Sequence, residues 1–272
     1  MRLYHDISCN VKWFRVVFRS VYVNEPAQTI YLQVLRRDGQ VVAKHLSQEL
    51  GLSEDTIRRD LRELAHEGLL LRVHGGALPA SPAVADFAGR EELSIDAKQA
   101  IGRAGAQLIK AGQVVFVDGG TTAVQLVRQL PRELRATVVT HSARIAVELV
   151  EHPLVEVILI GGRLFKHSIV SVGAVALEAI SHIRADSYFM GVTGIHPEEG
   201  LTTGDLEEAY VKQALCKRAS DTFVMASQEK LGAASQYRVV GLNEVSALIV
   251  DRTTADELLT PYAALDVKII RA

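Results

Sequence analysis

Residues 53–64 read SEDTIRRDLREL, Ser53 through Leu64, and the rest of the chain is organised around this stretch. Ser53 suits an N-cap, where its hydroxyl accepts from the first free backbone amides, and Glu54 and Asp55 follow where the helix dipole favours negative charge. Ile57, Leu61 and Leu64 recur at helical spacing with Ala65 beside them, one buried stripe. Arg58, Arg59 and Arg62 fall on the opposite side. Just upstream, Val42 to Leu50 (VAKHLSQEL) forms a second amphipathic helix on Val42, Leu46 and Leu50, and Gly51-Leu52 makes the turn between the two. The spacing predicts a helix-turn-helix, whose second helix lies in the major groove with its N-terminal residues at base edges.

The alternative is a solvated face whose arginines pair with Asp60 and Glu63. The flanks argue for the first reading. Gly68 ends the helix, Leu69 to Val73 is a compact apolar run, and His74-Gly75-Gly76 closes it, the outline of a wing. Ala27 to Arg37 (AQTIYLQVLRR), with Ile30, Val34 and Leu35 on one face, supplies the first helix and stops at Asp38-Gly39. Charge in this window is nearly balanced, so contact with DNA depends on where the charges sit. Thr56, Arg58, Arg59 and Arg62, with Ser53 at the cap, are the candidates for base edges; Lys44, Arg72 and His74 are candidates for phosphates.

The run from Gly39 through Thr-Ile-Arg-Arg-Asp-Leu to His-Gly-Gly-Ala resembles the DNA-binding domain of the DeoR family of bacterial transcriptional regulators.

The 272 residues exceed one average domain, and 48% hydrophobic with 23% charged content is ordinary for a soluble globular protein. A net charge of -2 says nothing about partners. Cys9 and Cys216 fit no metal-ligand or CxxC spacing, so they read as reduced thiols of a cytoplasmic protein, and no metal or cofactor is expected. Residues 1–26 are rich in Val, Phe and Tyr, but Lys12, Arg15 and Arg19 break any membrane-spanning run, and no leader cleavage site follows. They read as an extension, either disordered or a mis-assigned start. The expected domains are a winged helix-turn-helix at 27–79, a Pro, Ala, Ser and Gly linker at 80–95, and an effector domain at 96–272.

From Asp96 onward short apolar runs alternate with helical patterns: helix Lys98 to Lys110, strand Val114 to Val117, helix Thr122 to Leu130, strand Thr137 to Thr140, and so on to strands near Ala247 to Asp251 and Val267 to Ile270. That alternation predicts an α/β fold, a Rossmann-like, mostly parallel sheet behind the N-terminal head. Ligands in such sheets sit at the carboxyl ends of the strands. The first such end, Asp118-Gly119-Gly120-Thr121-Thr122, passes from strand to helix through two glycines and two threonines, where glycines allow close approach and a helix N-terminus offers free amides, a seat for phosphate. The plain alternative is a tight turn capped by Thr122. Neither a Walker loop nor GxGxxG is present. Further strand ends supply Thr140, His141 and Ser142, then Gly162 and Arg163, then Gly191, Thr193 and Gly194, with Lys166 and Lys230 in following loops. Arg163, Lys166 and Lys230 would balance a phosphate dianion, against the alternative of solvated surface, and His141 would be a ligand contact or an ordinary strand-end histidine.

The strings DGGTTA, THSA, Gly161-Gly162 and GVTGIHPEEGLTTGDLEEAYVKQAL resemble the effector domain of the same family, similar in fold to ribose-phosphate isomerase and glucosamine-phosphate deaminase. The resemblance implies that Asp118, Gly120, Thr121 and Thr122 hold a phosphate and that Lys230 is the lysine of an Asp-x-x-Lys motif, whose aspartate is Ser227 here. It implies a non-enzymatic DNA-binding regulator, a repressor of a carbohydrate-utilisation operon. The partners would be double-stranded operator DNA and a phosphorylated sugar effector, without a membrane, and the chain would act as a homo-oligomer switched through the linker. The rivals are a sugar-phosphate isomerase or deaminase with an appended DNA-binding head, which needs a pocket base, and a DNA head on a pure assembly module.

Overall fold

The computed structural model describes residues 27–81 and 87–272 in two compact units that divide between Ala80 and Ser81. The expectation for residues 1–26 falls outside the described residues.

In the first unit α1 (Ala27–Asp38), β1 (Val41–Val42), α2 (Ala43–Leu50), α3 (Glu54–His66), β2 (Leu70–Val73) and β3 (Gly76–Pro79) follow in order. Ile30, Tyr31, Val34 and Leu35 of α1 meet Leu46 of α2 and Ile57, Leu61 and Leu64 of α3 in one core. Cutting one of these leucines to alanine costs about 2–5 kcal/mol. Gly51, at φ +68°, ends α2, and Ser53 Oγ starts α3 by accepting from Thr56 N at 3.1 Å. Val42, read from its periodicity as the start of α2, instead ends β1 and pairs with Gly76. The sheet order β1-β3-β2 makes the wing. A Cβ on Gly76 would stand 1.7 Å from the Val41 carbonyl oxygen, so only glycine lets β3 approach β1 this closely.

The second unit opens with α4 (Phe87–Glu92), α5 (Ile95–Leu108), β4 (Val114–Val117), α6 (Thr121–Arg128), β5 (Ala136–Thr140), α7 (Ala143–Leu149) and β6 (Val155–Leu159). β7 (Arg163–Phe165), β8 (Val170–Val172), α8 (Ala174–Ser181), β9 (Ala185–Gly191), β10 (Gly194–His196), β11 (Gly200–Thr203) and α9 (Leu206–Arg218) come next. β12 (Ala219–Ala226), a 3-10 turn at Gln228–Lys230, β13 (Tyr237–Arg238), β14 (Ala247–Val250), α10 (Asp256–Ala263) and β15 (Ile269–Arg271) complete it. Seven strands form one parallel sheet in the order β15-β14-β12-β9-β4-β5-β6. Successive side chains point to opposite faces, so Phe116, Tyr188, Met190 and Val224 build one core while Val115, Val117, Phe189 and Met225 build the other.

Three features go beyond the sequence reading, the first of them against it. The stretch read as a linker contains α4, whose Phe87 is buried in the core with Ile101 and Leu126. The glycine-rich passage after β6 forms the β7–β8 hairpin, and β10, β11 and β13 form a separate antiparallel sheet. Lastly, α5 lies against α6 almost backbone to backbone, since a Cβ on Gly102 would meet the Gln125 carbonyl carbon at 2.7 Å.

Candidate functional site: the arginine helix and the sensor pocket

On α3 the buried face is Ile57, Asp60, Leu61 and Leu64. Asp60 therefore does not belong to the solvated face; it accepts from the buried Tyr31 hydroxyl at 3.0 Å and lies 3.6 Å from Arg59 Nε. Ser53 and Thr56 share a hydrogen bond of 2.9 Å at the helix start. Arg58 is held along the helix by Glu54 at 2.7 Å. Arg62, Lys44, Arg72 and His74 are exposed. The exposed arginine row thus stands on a rigid cap and a packed back, the arrangement a groove-reading helix needs.

At the carboxyl ends of β4, β9 and β12 a pocket opens, lined by Gly119, Gly120, Thr121 and Thr122 of the β4–α6 turn, Gly191 at the end of β9, Thr193 after it, and Lys230. Gly120 takes φ +110°, a conformation open to glycine, and so turns the chain into α6 with its first amides facing no intrahelical acceptor. The Thr122 hydroxyl is buried and finds no hydrogen-bond partner among the described residues.

The sequence reading missed the rest of the lining. Arg90 and Leu93 come from and just after α4, Lys98 from α5, Glu208 and Lys212 from α9, and Glu229 from the 3-10 turn. Arg90 donates to the His167 carbonyl at 3.0 Å, and the Lys98 ammonium donates to the Arg90 carbonyl. Four cationic side chains and two carboxylates line the pocket, and one of the four, Lys212, is paired with the buried Asp118. Burial pushes Lys230 down to about 8 despite Glu229, and Lys98, Arg90 and Lys212 add to that push; its ammonium has no hydrogen-bond or ion-pair partner among the described residues. Burial also lowers Lys98, against the pull of Glu229.

Asp118 lies elsewhere than its motif implies. It is fully buried and outside the lining, with both oxygens saturated: Oδ1 accepts from Gly119 N and His141 Nε2, each at 2.8 Å, and Oδ2 from Tyr188 OH and Gly191 N, each at 2.9 Å, and Lys212 Nζ at 2.5 Å. A carboxylate would repel a phosphate; here it braces the loop from below. Burial opposes its charge, but Lys212 and then His141 hold its carboxyl well below the usual range. The same pairing, with Glu208, holds Lys212 above the ordinary lysine value against burial.

Other expected contacts have structural partners. His141 Nδ1 faces the Ser171 carbonyl at 3.0 Å, Thr140 Oγ1 accepts from Ser142 N, and Ser142 caps α7. Gly194 lies against the Ala233 backbone. Gly162 backs onto the Val172 carbonyl, where a Cβ would come within 2.8 Å. Arg163 is exposed and bonded to Glu207, and Lys166 is exposed and outside the lining. Among the described residues no group of His, Cys, Asp and Glu is placed to hold a metal ion, and no helix is long and apolar enough to cross a membrane.

Residues 28–82 match the DeoR-like helix-turn-helix domain and residues 93–252 match the DeoR C terminal sensor domain. The chain is 36% identical to the HTH-type transcriptional regulator GlpR of Haloferax volcanii, over 79% of this chain and 85% of that protein. It is 32% identical to the HTH-type transcriptional regulator GolR of Listeria innocua, over 89% and 97%. To the HTH-type transcriptional repressor GlcR of Bacillus subtilis it is 31% identical, over 81% and 86%. Among solved structures, the full-length sorbitol operon regulator SorC of Klebsiella pneumoniae aligns at 14% identity and a TM-score of 0.44, over 85% of this chain and 97% of that one, a likeness too loose to bear on function. With an arginine helix in the first unit, a cationic pocket in the second and family matches over both, the chain belongs to the DeoR family of DNA-binding transcriptional regulators.

Proposed function

We propose that the chain is a cytoplasmic repressor of an operon for carbohydrate use. It binds operator DNA through α3 as a homo-oligomer and is released when a phosphorylated sugar or polyol enters the pocket. The observation that carries the effector class is Lys230, a buried lysine whose ammonium has no hydrogen-bond or ion-pair partner among the described residues, lining the pocket with the first amides of α6 and the unpartnered Thr122 hydroxyl. A phosphate monoester satisfies all three. The Escherichia coli relative named glycerol-3-phosphate regulon repressor, 29% identical over 81% of this chain, agrees with that chemistry. The test is fluorescence anisotropy of the protein on DNA from upstream of its own gene cluster, at stated salt, with a panel of phosphosugars titrated in. Selective binding reversed by one of them is the expected result.

Signalling would run through residues 80–95, because Arg90 and Leu93 of that stretch line the pocket and a ligand shifts affinity only by its differential binding to two states. Scattering curves unchanged at saturating effector, while DNA affinity falls, would refute this route.

Glu208 and Glu229 give the enzymatic alternative the pocket carboxylates it needs. We place Glu208 in a holding role instead, since Thr203 Oγ1 donates to it at 2.6 Å and Lys212 lies 3.5 Å away. Turnover of ribose 5-phosphate by the purified protein would reverse that assignment.

A further inference from the structure

An anion pocket has no evident use for a carboxylate on its wall, yet Glu229 is there and is held in place. Ser227 Oγ donates to its Oε1 at 2.5 Å and Ser94 Oγ to its Oε2 at 3.1 Å. Neither Lys98 nor Lys230 forms an ion pair with it among the described residues, although both act on it through space. A carboxylate offers about four acceptor positions, so two serine hydroxyls leave capacity for further donors. Both serines come with structural commitments: Ser227 is fully buried, and Ser94 takes the uncommon φ +53° before α5.

We propose that Glu229 is a specificity-determining residue, which accepts hydrogen bonds from the hydroxyl groups of a phosphorylated polyol or sugar whose phosphate lies on the α6 amides and Lys230. The proposal rests on the anion-binding reading above. It explains why the wall carries an acceptor where phosphate alone would want none. Lys98 and Lys230 already act on Glu229 through space, which favours neutral hydroxyl donors over a further ammonium group as its ligand. Ser227 belongs to the same device: a small donor at that position leaves the acceptor role to the carboxylate two residues later.

The test uses the full chain and two classes of probe: phosphates without hydroxyl donors on carbon, inorganic phosphate and propyl phosphate, and a panel of polyol and sugar phosphates. Dissociation constants are measured by calorimetry for the wild type, Glu229→Gln and Ser227→Ala. In the wild type the best polyol or sugar phosphate should bind more tightly than propyl phosphate. Glu229→Gln should weaken that compound about tenfold or more while leaving inorganic phosphate unchanged or tighter, since a charged acceptor is lost and a repelling charge removed. Ser227→Ala, which keeps the carboxylate and loosens it, should shift the same ratio in the same direction by less. Parallel loss for both probe classes, or a ratio within twofold of wild type, would overturn the assignment while the anion site stood. Failure of every phosphate probe on the wild type would overturn both.

Discussion

The Tyr31 hydroxyl in α1 donates to Asp60 Oδ2 in α3 at 3.0 Å, and both groups are buried. This one bond ties the first helix to the back of the arginine helix and keeps the acid of the Arg-Arg-Asp string out of water. Tyr31→Phe should therefore leave a buried carboxylate short of a donor and destabilise the head by about 1–3 kcal/mol. Chemical unfolding followed by a probe in the head should show the loss, with the sensor unit's transition unmoved.

The arginines should separate by their effect on DNA. Arg62→Ala is expected to cost about 1–3 kcal/mol on the operator and to relax choice at one base pair. Arg72→Ala should weaken all sequences alike and lower the salt slope by about 1. Binding curves on operator and scrambled DNA at several salt concentrations distinguish the two.

Asp118→Asn leaves the buried Lys212 with Glu208 as its remaining carboxylate, and about 3–5 kcal/mol of sensor stability should go. The sign with pH is fixed by the depressed carboxyl of Asp118: its contribution is present in full above the unfolded value near pH 4 and is lost as pH falls toward the folded one. Melting temperatures across the acid range should fall steeply for the wild type and more gently for the variant.

Lys230 shares that pH direction, but at neutral pH its burial is a cost instead of a gain. Its folded pKa of about 8 lies below that of the unfolded chain, near 10.4, so between these values the unfolded state binds more protons and stability rises with pH. Lys230→Met should raise the stability of the ligand-free protein at neutral pH by of order 1 to 3 kcal/mol and flatten that rise. It should also abolish stabilisation by phosphate compounds. Thermal melts with and without inorganic phosphate check all three.

The head was legible because its signals are local: a serine cap, one apolar stripe, a glycine turn. The parallel strands were legible because burial on both faces makes their sequences short apolar runs. The pocket was legible in Gly120, Thr121, Thr122 and Lys230, which lie on a loop and a turn at strand ends. The buried charges were not. Glu208 and Lys212 stand four apart on α9 and look in sequence like an exposed helix pair, and only the tertiary approach of Asp118 makes them interior. Asp60 misled in the same way from among charged neighbours. Asp118 itself was visible as a conspicuous residue, but sequence does not show that its carboxylate points down into the fold rather than up at a ligand. The β7–β8 hairpin and the β10-β11-β13 sheet escaped because their strands are only two to four residues long, too short for periodicity to register.

Gly102, pressed against the α6 backbone, bears on how this receptor could be re-aimed at another compound. The proposed phosphate seat, Gly120 to Thr122, begins the helix that Gly102 abuts, so any side chain there would lever that turn, and this half of the pocket tolerates almost no editing. Glu229 sits on a short turn and is steered by two small hydroxyls, so a library confined to residues 227–229 and Ser94 would vary taste while leaving the grip intact.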